Sequence, residues 1–547
     1  MNRRDFLRLS AAAPMIARAA ERRPNVVLIL TDDQGYGDLG MHGNDKIRTP
    51  NMERIAREGV QFTQFHVCPV CSPTRSSLLT GRYNYRTGVV DTFLGRSMMY
   101  PDEITLAEIL RDAGYRTGLF GKWHLGDNYP LRAIDQGFEE VVAIRGGGLG
   151  QPSDYPGSKG YFDPILMHNG QPKRYQGYCN DIYTQEALRF IEANRERPFF
   201  LYLPTNLPHA PLEVPDSYVE PYRKMGLEDR DARVYGMIAN IDENIGRVLQ
   251  KLDDLKLASH TIVIFMSDNG PQWRRYNAGM RGQKGTVYQG GIRVPFFLRW
   301  PGRVKPGTKV DRIAAHIDVL PTLVEACGAK LPRDRKIDGR SLMPLLSGAR
   351  TPWPDRTLFF QWHRGDQPEE FRDCAARTQK WKLVNGKELY DLDNDPAEAN
   401  DVSSAHPEIV ARLRQEYQQW FRDVSSTRGY DPPRIQIGTK HENPVMLTRQ
   451  DWRGPRAGWK ADSLGFWQVQ VAETGRYEVS AIFAPAAGDG EVRFRLNGAE
   501  LRQKVQKGET QRRLGAVQIP AGPGTLEMEV QTGGQPVGVQ YVEIKRL

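Results

Sequence analysis

Four short apolar runs, each ending in polar residues, constrain the fold of this chain more than any other feature. Asn25 to Leu30 ends at Thr31, Asp32 and Asp33, and Tyr115 to Phe120 leads into Gly121, Lys122, Trp123 and His124. Pro198 to Leu203 leads to Asn206, Leu207, Pro208 and His209, and Thr261 to Met266 ends at Ser267, Asp268 and Asn269. Continuous apolar strands of this length suit a sheet covered on both faces. Polar residues just past their ends then lie at the carboxyl rim, where open α/β sheets bind ligands. Helical spacing appears between the runs, over Pro50 to Glu58, Leu106 to Ala113, Asp181 to Asn194 and Val234 to Leu255. The pattern predicts an α/β fold: a mixed, mostly parallel sheet flanked by helices, with one site on one rim.

The pattern changes past Ile337 to Leu342. Thr357 to Trp362, Trp381 to Val384 and Glu388 to Asp391 read as short strands, and Pro407 to Phe421 as a helix. Residues 21–345 are expected to form the main α/β domain and residues 346–425 a small antiparallel α+β subdomain. A linker is expected over 426–445, where Ser425, Ser426, Thr427, Arg428 and Gly429 and then Asp431, Pro432 and Pro433 occur. From 446 to 547, runs such as Phe466 to Val471, Gly475 to Ser480 and Glu491 to Leu496 alternate polar with apolar between Gly-rich turns. That alternation predicts an appended all-β sandwich, jelly-roll-like. Trp452, Trp459 and Trp467 are expected to pack its core, with a sugar-stacking face as the alternative.

With 547 residues the chain is long enough for two or three domains. No apolar run approaches the ~20 residues of a membrane-spanning helix. Residues 1–20 hold Arg3, Arg4, Phe6 and Leu7, a small-apolar stretch, and Ala17-Arg18-Ala19. They resemble a twin-arginine export signal, which places the protein in the periplasm or outside the cell. The net charge of +9 is spread along the chain without a Lys/Arg block or aromatic-basic alternation, so nothing points to nucleic acid. Five scattered cysteines form no disulfide framework.

Asp32, Asp33, Asp268 and Asn269 offer hard oxygen donors at two strand ends. Such a set suits Ca²⁺, ahead of Mg²⁺, and not zinc, which favours His or Cys. Either pair alone is more commonly turn chemistry or a helix cap.

What reverses that balance is Cys71, in Cys71-Ser72-Pro73-Thr74-Arg75, followed by Ser76-Ser77-Leu78-Leu79-Thr80-Gly81-Arg82. This stretch resembles the signature of the type I sulfatases, whose cysteine is oxidised after synthesis to formylglycine. The resemblance covers roughly residues 24 to 425 and implies the alkaline-phosphatase-like fold. Residue by residue, it implies that Asp32, Asp33, Asp268 and Asn269 hold one Ca²⁺, with residue 71 supplying a further oxygen. It implies a maturation partner, the formylglycine-generating enzyme, acting on Cys71 (3-oxoalanine after conversion). Arg75, Lys122, His124, His209 and Lys284 fall on the family's catalytic positions.

The chemistry implied is that of a sulfuric ester hydrolase of arylsulfatase type. One hydroxyl of the aldehyde hydrate attacks sulfur, and His209 or Lys284 protonates the leaving oxygen. His124 then takes the proton of the second hydroxyl and sulfate departs. A sulfated carbohydrate is the expected substrate. The alternatives are a phosphonate monoester or phosphodiester hydrolase of the same superfamily, and an inactive exported glycan-binding protein. Gln34, Tyr36 and Asp38 are expected either to shape the pocket or to sit in a surface loop. Arg293 and the stretch from His316 to Thr322 are expected to be structural. Trp362 and His363 carry no assigned role.

Overall fold

The computed structural model describes residues 23–347 and 353–547. The export-signal reading of residues 1–20 falls outside them.

Among the described residues, a ten-stranded sheet forms the main body. Its order is Thr308–Val310, Val60–Phe62, Phe296–Arg299, Thr261–Ser267, Asn25–Thr31, Phe199–Pro204, Arg116–Lys122, Glu140–Ile144, Ile165–His168 and Gln171–Arg174. The five central strands, from Thr261–Ser267 to Glu140–Ile144, run parallel. The four expected apolar runs are all among them. Successive side chains on a strand face opposite ways, and both faces are covered. Val26, Leu28 and Leu30 join a core with Leu119, Phe200, Tyr202 and Leu320. Val27 and Ile29 join another with Leu201, Leu203, Ile241 and Ile245. The second core is closed by the long helix Asp229–Asp254 and by Cys179–Ala193.

A four-stranded antiparallel sheet follows, Leu358–Gln361, Cys374–Arg377, Trp381–Val384 and Glu388–Asp391, packed by the helix Pro407–Ser425. The sequence reading missed Cys374–Arg377, whose four residues, Cys-Ala-Ala-Arg, carry no β-branched side chain.

Two sheets, of seven and four strands, then enclose a core around Trp452 and Trp467. The expected linker over 426–445 is not linker throughout. Ile435–Ile437 pairs in parallel with Leu464–Val471, and Val445–Thr448 begins inside the same span. The Pro432–Pro433 pair concealed a short edge strand, because its three residues are too few for alternation to be visible. Trp452 and Trp467 are fully buried, while Trp459 is partly exposed and meets Phe93 edge-on at 5.1 Å. The sandwich core also takes in Leu94, Met98 and Leu131, so the two bodies are packed together.

Candidate active site

Cys71 is the first residue of a ten-residue helix, Cys71–Thr80, that is buried throughout. Pro73 is tolerated there because the first helical turn has no amide bond to lose. Arg75 lies one turn beyond Cys71 and therefore on the same side. The helix stops at Gly81, which takes φ 68° and returns its amide to Ser77 O at 2.9 Å.

The strand ends deliver the rest. Asp32 and Asp33 follow Asn25–Thr31, and Asp268 and Asn269 follow the neighbouring Thr261–Ser267. One ligand atom from each of Asp32, Asp33, Cys71 and Asp268 lies within 4.8 Å of the others. Cys71 Sγ donates to Asp32 Oδ1 at 3.3 Å, and the Asp33 amide donates to Asp268 Oδ1 at 3.2 Å. Asn269 Nδ2 donates to Asp33 Oδ1 at 2.7 Å. Asp33 holds φ 67° and His124 φ 62°, a left-handed backbone uncommon for side chains of this kind. Strain of this sort gathers where a fold fixes functional groups.

Cations rim the cluster. Lys122 Nζ is 2.6 Å from Asp32 Oδ2, and Lys284 Nζ is 2.6 Å from Asp33 Oδ1. Arg75 pairs with Asp268 at 2.8 Å and donates from Nη1 to Lys122 O at 2.9 Å. His209 Nε2 stands 3.9 Å from Asp33 Oδ2, and its Nδ1 meets Ala210 O at 2.6 Å. His124 does not hydrogen-bond to the acids. Its Nε2 meets Thr92 O at 2.8 Å, and its Nδ1 is buried without a partner among the described residues. All ten residues singled out in the sequence thus gather on one rim, with His124 at its margin.

Burial and charge set the protonation states. Burial alone would raise the Asp33 carboxyl, but Lys284 and His209 hold it well below the usual carboxylate range. Burial and the nearby Asp32 push Asp268 up to about 6 despite Arg75. Burial, with the Lys284 charge, pushes His209 down to about 3. Burial, Lys122 and Arg75 push His124 well below the ordinary imidazole value. The Cys71 thiol is driven far up by burial and by the Asp268 and Asp32 charges.

Two buried acceptors in the cluster, Asp33 Oδ2 and Asn269 Oδ1, have no hydrogen-bond donor among the described residues. Orphaned buried oxygens are costly, and a hard cation satisfies oxygen donors of this kind. The residues fit a divalent ion.

The remaining candidates separate cleanly. Asp38 is occupied by Arg275 at 2.7 Å, and Arg275 also donates to Asp33 O at 3.1 Å, so it braces the acid loop. Tyr36 stacks on His42 and lies beneath Arg293, which donates to Thr63 O. Gln34 donates to Met52 Sδ at 3.6 Å. His316 contacts Cys68 Sγ, and Asp318 pairs with Arg356. Trp362 donates to Asp91 at 3.1 Å and abuts Gly285 beside Lys284, whereas His363 folds back on its own loop to accept from the Glu369 amide. Sequence reasoning missed Thr92, Gly147, Arg275 and Gln450. An ideal Cβ on Gly147 would lie 2.8 Å from the His124 ring.

A mostly parallel sheet with a buried acid cluster and rimming lysines at its carboxyl edge defines an alkaline-phosphatase-like α/β protein. The sulfatase family profile matches residues 24–329, and the profile described as N-sulphoglucosamine sulphohydrolase, C-terminal, matches residues 282–423. The chain is 33% identical over 463 residues to arylsulfatase A of Homo sapiens, across 73% of this chain and 87% of that protein. It is 34% identical over 420 residues to N-acetylgalactosamine-6-sulfatase of Homo sapiens, across 71% of this chain and 77% of that protein. The crystal structure of Ps i-CgsB in complex with k-i-k-neocarrahexaose superposes with a TM-score of 0.68 at 30% identity, covering 75% of this chain and 95% of that one. The chain belongs to the sulfatase family and is a sulfuric ester hydrolase.

Proposed function

We propose that the protein removes sulfate from sulfated carbohydrates, using a formylglycine formed from Cys71 beside a single Ca²⁺ ion. The observation that carries this reading is the closed cluster of Asp32, Asp33, Cys71 and Asp268, all within 4.8 Å, with Lys122 and Lys284 bonded to its acids. Asp32, Asp33, Asp268 and Asn269 would hold the ion, with an oxygen at position 71 beside them. An ion bound there would supply charge neutralisation at a sulfate oxygen and a lower pKa at a hydroxyl of residue 71. Formylglycine supplies a hydrate with two hydroxyls on one carbon, where serine has one.

The chain's own residues do the remaining work. Lys122 and Lys284 offset the charge of a sulfate monoester as it enters an acidic cluster. His209 Nδ1 is committed to Ala210 O, and burial keeps the ring neutral, so its Nε2 presents a lone pair. Lys284 keeps its proton because the acids around it outweigh burial, which makes it the donor to the leaving oxygen. His124, neutral with Nδ1 free, is the base that accepts a proton at that atom. The unmodified Cys71 thiol, held protonated by burial and two carboxylates, is a poor nucleophile, which supports conversion.

The carbohydrate assignment rests on the named substrates of the relatives and on aromatic and cationic groups around the segment that bears Thr92. Arg364 lies over the Phe93 ring at 4.5 Å, Trp459 meets Phe93, and Trp362 abuts the Lys284 loop. A formylglycine-generating enzyme is the maturation partner, and the signal-like first twenty residues support export to the periplasm or beyond. No helix among the described residues is long and apolar enough to cross a membrane.

The test compares converted enzyme on an aryl sulfate, an aryl phosphodiester and a set of defined sulfated sugars. Sulfate esters are expected to be preferred in kcat/KM by at least tenfold, with one sulfated sugar exceeding the aryl sulfate. A preference for the phosphodiester would replace this reading with that of a phosphodiester or phosphonate hydrolase.

A further inference from the structure

One side chain of the C-terminal sandwich bonds the same backbone atom as an active-site histidine. Gln450 is buried and donates from Nε2 to Thr92 O at 2.8 Å and to Ser97 Oγ at 3.2 Å. Thr92 O is the same atom that meets His124 Nε2 at 2.8 Å. A carbonyl only accepts, so His124 carries its proton on Nε2 and keeps the Nδ1 lone pair. That Nδ1 is buried and has no partner among the described residues.

The segment bearing Thr92 is held at both ends. On the sandwich side, Gly95 N donates to Gln450 O at 3.0 Å, Arg453 Nη1 donates to Leu94 O at 2.9 Å, and Leu94 and Met98 enter the sandwich core. On the other side, buried Asp91 receives Trp362 Nε1 and Arg364 Nη1 at 3.1 and 2.8 Å. The Gln450 side chain also backs Gly146, where an ideal Cβ would meet its Cδ at 3.5 Å. The next residue, Gly147, lies against the His124 ring. Gln450 therefore bonds one support of that ring, the Thr92 carbonyl, and lies behind the residue that precedes the other.

We propose that Gln450 is a positioning residue for His124: by fixing the Thr92 carbonyl it sets the histidine's tautomer and aim, which makes the sandwich part of the catalytic apparatus. The inference rests on the reading of His124 as the base.

The test uses the full-length converted enzyme with Gln450→Met, which keeps side-chain length but removes the donor, and Gln450→Ala. A hydrogen bond of this kind is modest in energy, but small displacements of a reacting group are felt strongly in rate. Expected is a fall in kcat of roughly five- to thirtyfold in both variants with KM changed less than about twofold. The second readout is independent of turnover. With ¹⁵N-labelled histidine, wild-type His124 (assigned by its loss in His124→Gln) is expected to show one protonated and one lone-pair ring nitrogen, and Gln450→Met to average them. Unchanged kcat together with an unchanged tautomer would overturn the proposal even if Gln450→Ala failed to fold. If His124→Gln itself kept full activity, the base assignment would fail. The nitrogen shifts would still decide whether Gln450 holds the ring.

Discussion

Arg75 donates from both Nε and Nη2 to a single oxygen of Asp268, Oδ2, at 3.1 and 2.8 Å, and neither side chain reaches solvent. The other oxygen, Oδ1, accepts the Asp33 amide. One arginine thus orients the acid at one strand end toward the acid at its neighbour. Removing one partner of a buried pair leaves an uncompensated charge, at a cost of about 3–5 kcal/mol. Arg75→Ala is expected to lose stability on that scale in denaturant unfolding. Arg75→Lys is expected to be destabilised as well, because an ammonium cannot reproduce the planar guanidinium fork that also reaches Lys122 O.

Calcium is expected to stabilise the folded chain by mass action, by about 2.7 kcal/mol at a hundredfold excess over Kd. Thermal unfolding with calcium and with chelator checks this. Asn269→Ala and Asp33→Ala are expected to shrink the gap between the two curves. Lys284→Ala should leave calcium-dependent stabilisation in place while abolishing turnover, since the lysine supplies no oxygen ligand.

Much of this was legible in the chain. The four apolar runs fixed the sheet because a parallel strand buried on both faces must be apolar along its length, as Val26 to Leu30 are. The acids, Lys122 and His124 were legible because they follow those runs directly, whereas Arg75 and Lys284 were legible only through the family resemblance carried by the Cys71 stretch. The supports of His124 were not. Thr92 contributes a backbone carbonyl, which no residue type announces. Gly147 contributes an absent side chain, in a Gly-rich loop like many others. Gln450 lies in the appended sandwich, and its contact with Thr92 exists only once the two bodies dock. The strand Ile435–Ile437 was hidden by its shortness and by the prolines before it.

Acid is expected to destabilise the protein through its buried histidines. His42 and His316 are each pushed down to about 4 by burial, and His209 to about 3, while His66 and His124 are also lowered. The unfolded chain binds protons at these groups from about pH 6.5 downward, whereas the folded chain does not. The histidines' contribution is therefore full above pH 6.5 and falls between 6.5 and about 4, by up to about 1.4 kcal/mol per pH unit for each histidine, partly offset by the buried Asp242 and Asp268 carboxyls, each raised to about 6. Unfolding free energies across pH 4–8 check this. His42→Gln is expected to flatten the slope, since His42 accepts at Nε2 from Gln61 and donates at Nδ1 to Tyr36 O.

Gly147→Ala tests the seat of His124 from the other side. The added Cβ would lie 2.8 Å from ring atoms, so the imidazole must move. A displacement on the order of 1 Å can lower kcat roughly a hundredfold. Near-native thermal stability with a fall in kcat of at least tenfold is the expected result. Unaltered kcat would place the ring outside the reacting geometry.

The aldehyde at position 71, and not the thiol, is expected to carry out turnover. The most direct measurement prepares the enzyme at graded degrees of Cys71 conversion, quantified by mass spectrometry of the peptide containing it, and records the rate of sulfate release for each. A straight line through the origin is expected, with Cys71→Ser giving at most one turnover per enzyme. Sustained sulfate release by unconverted protein, or by Cys71→Ser at near wild-type rate, would contradict it.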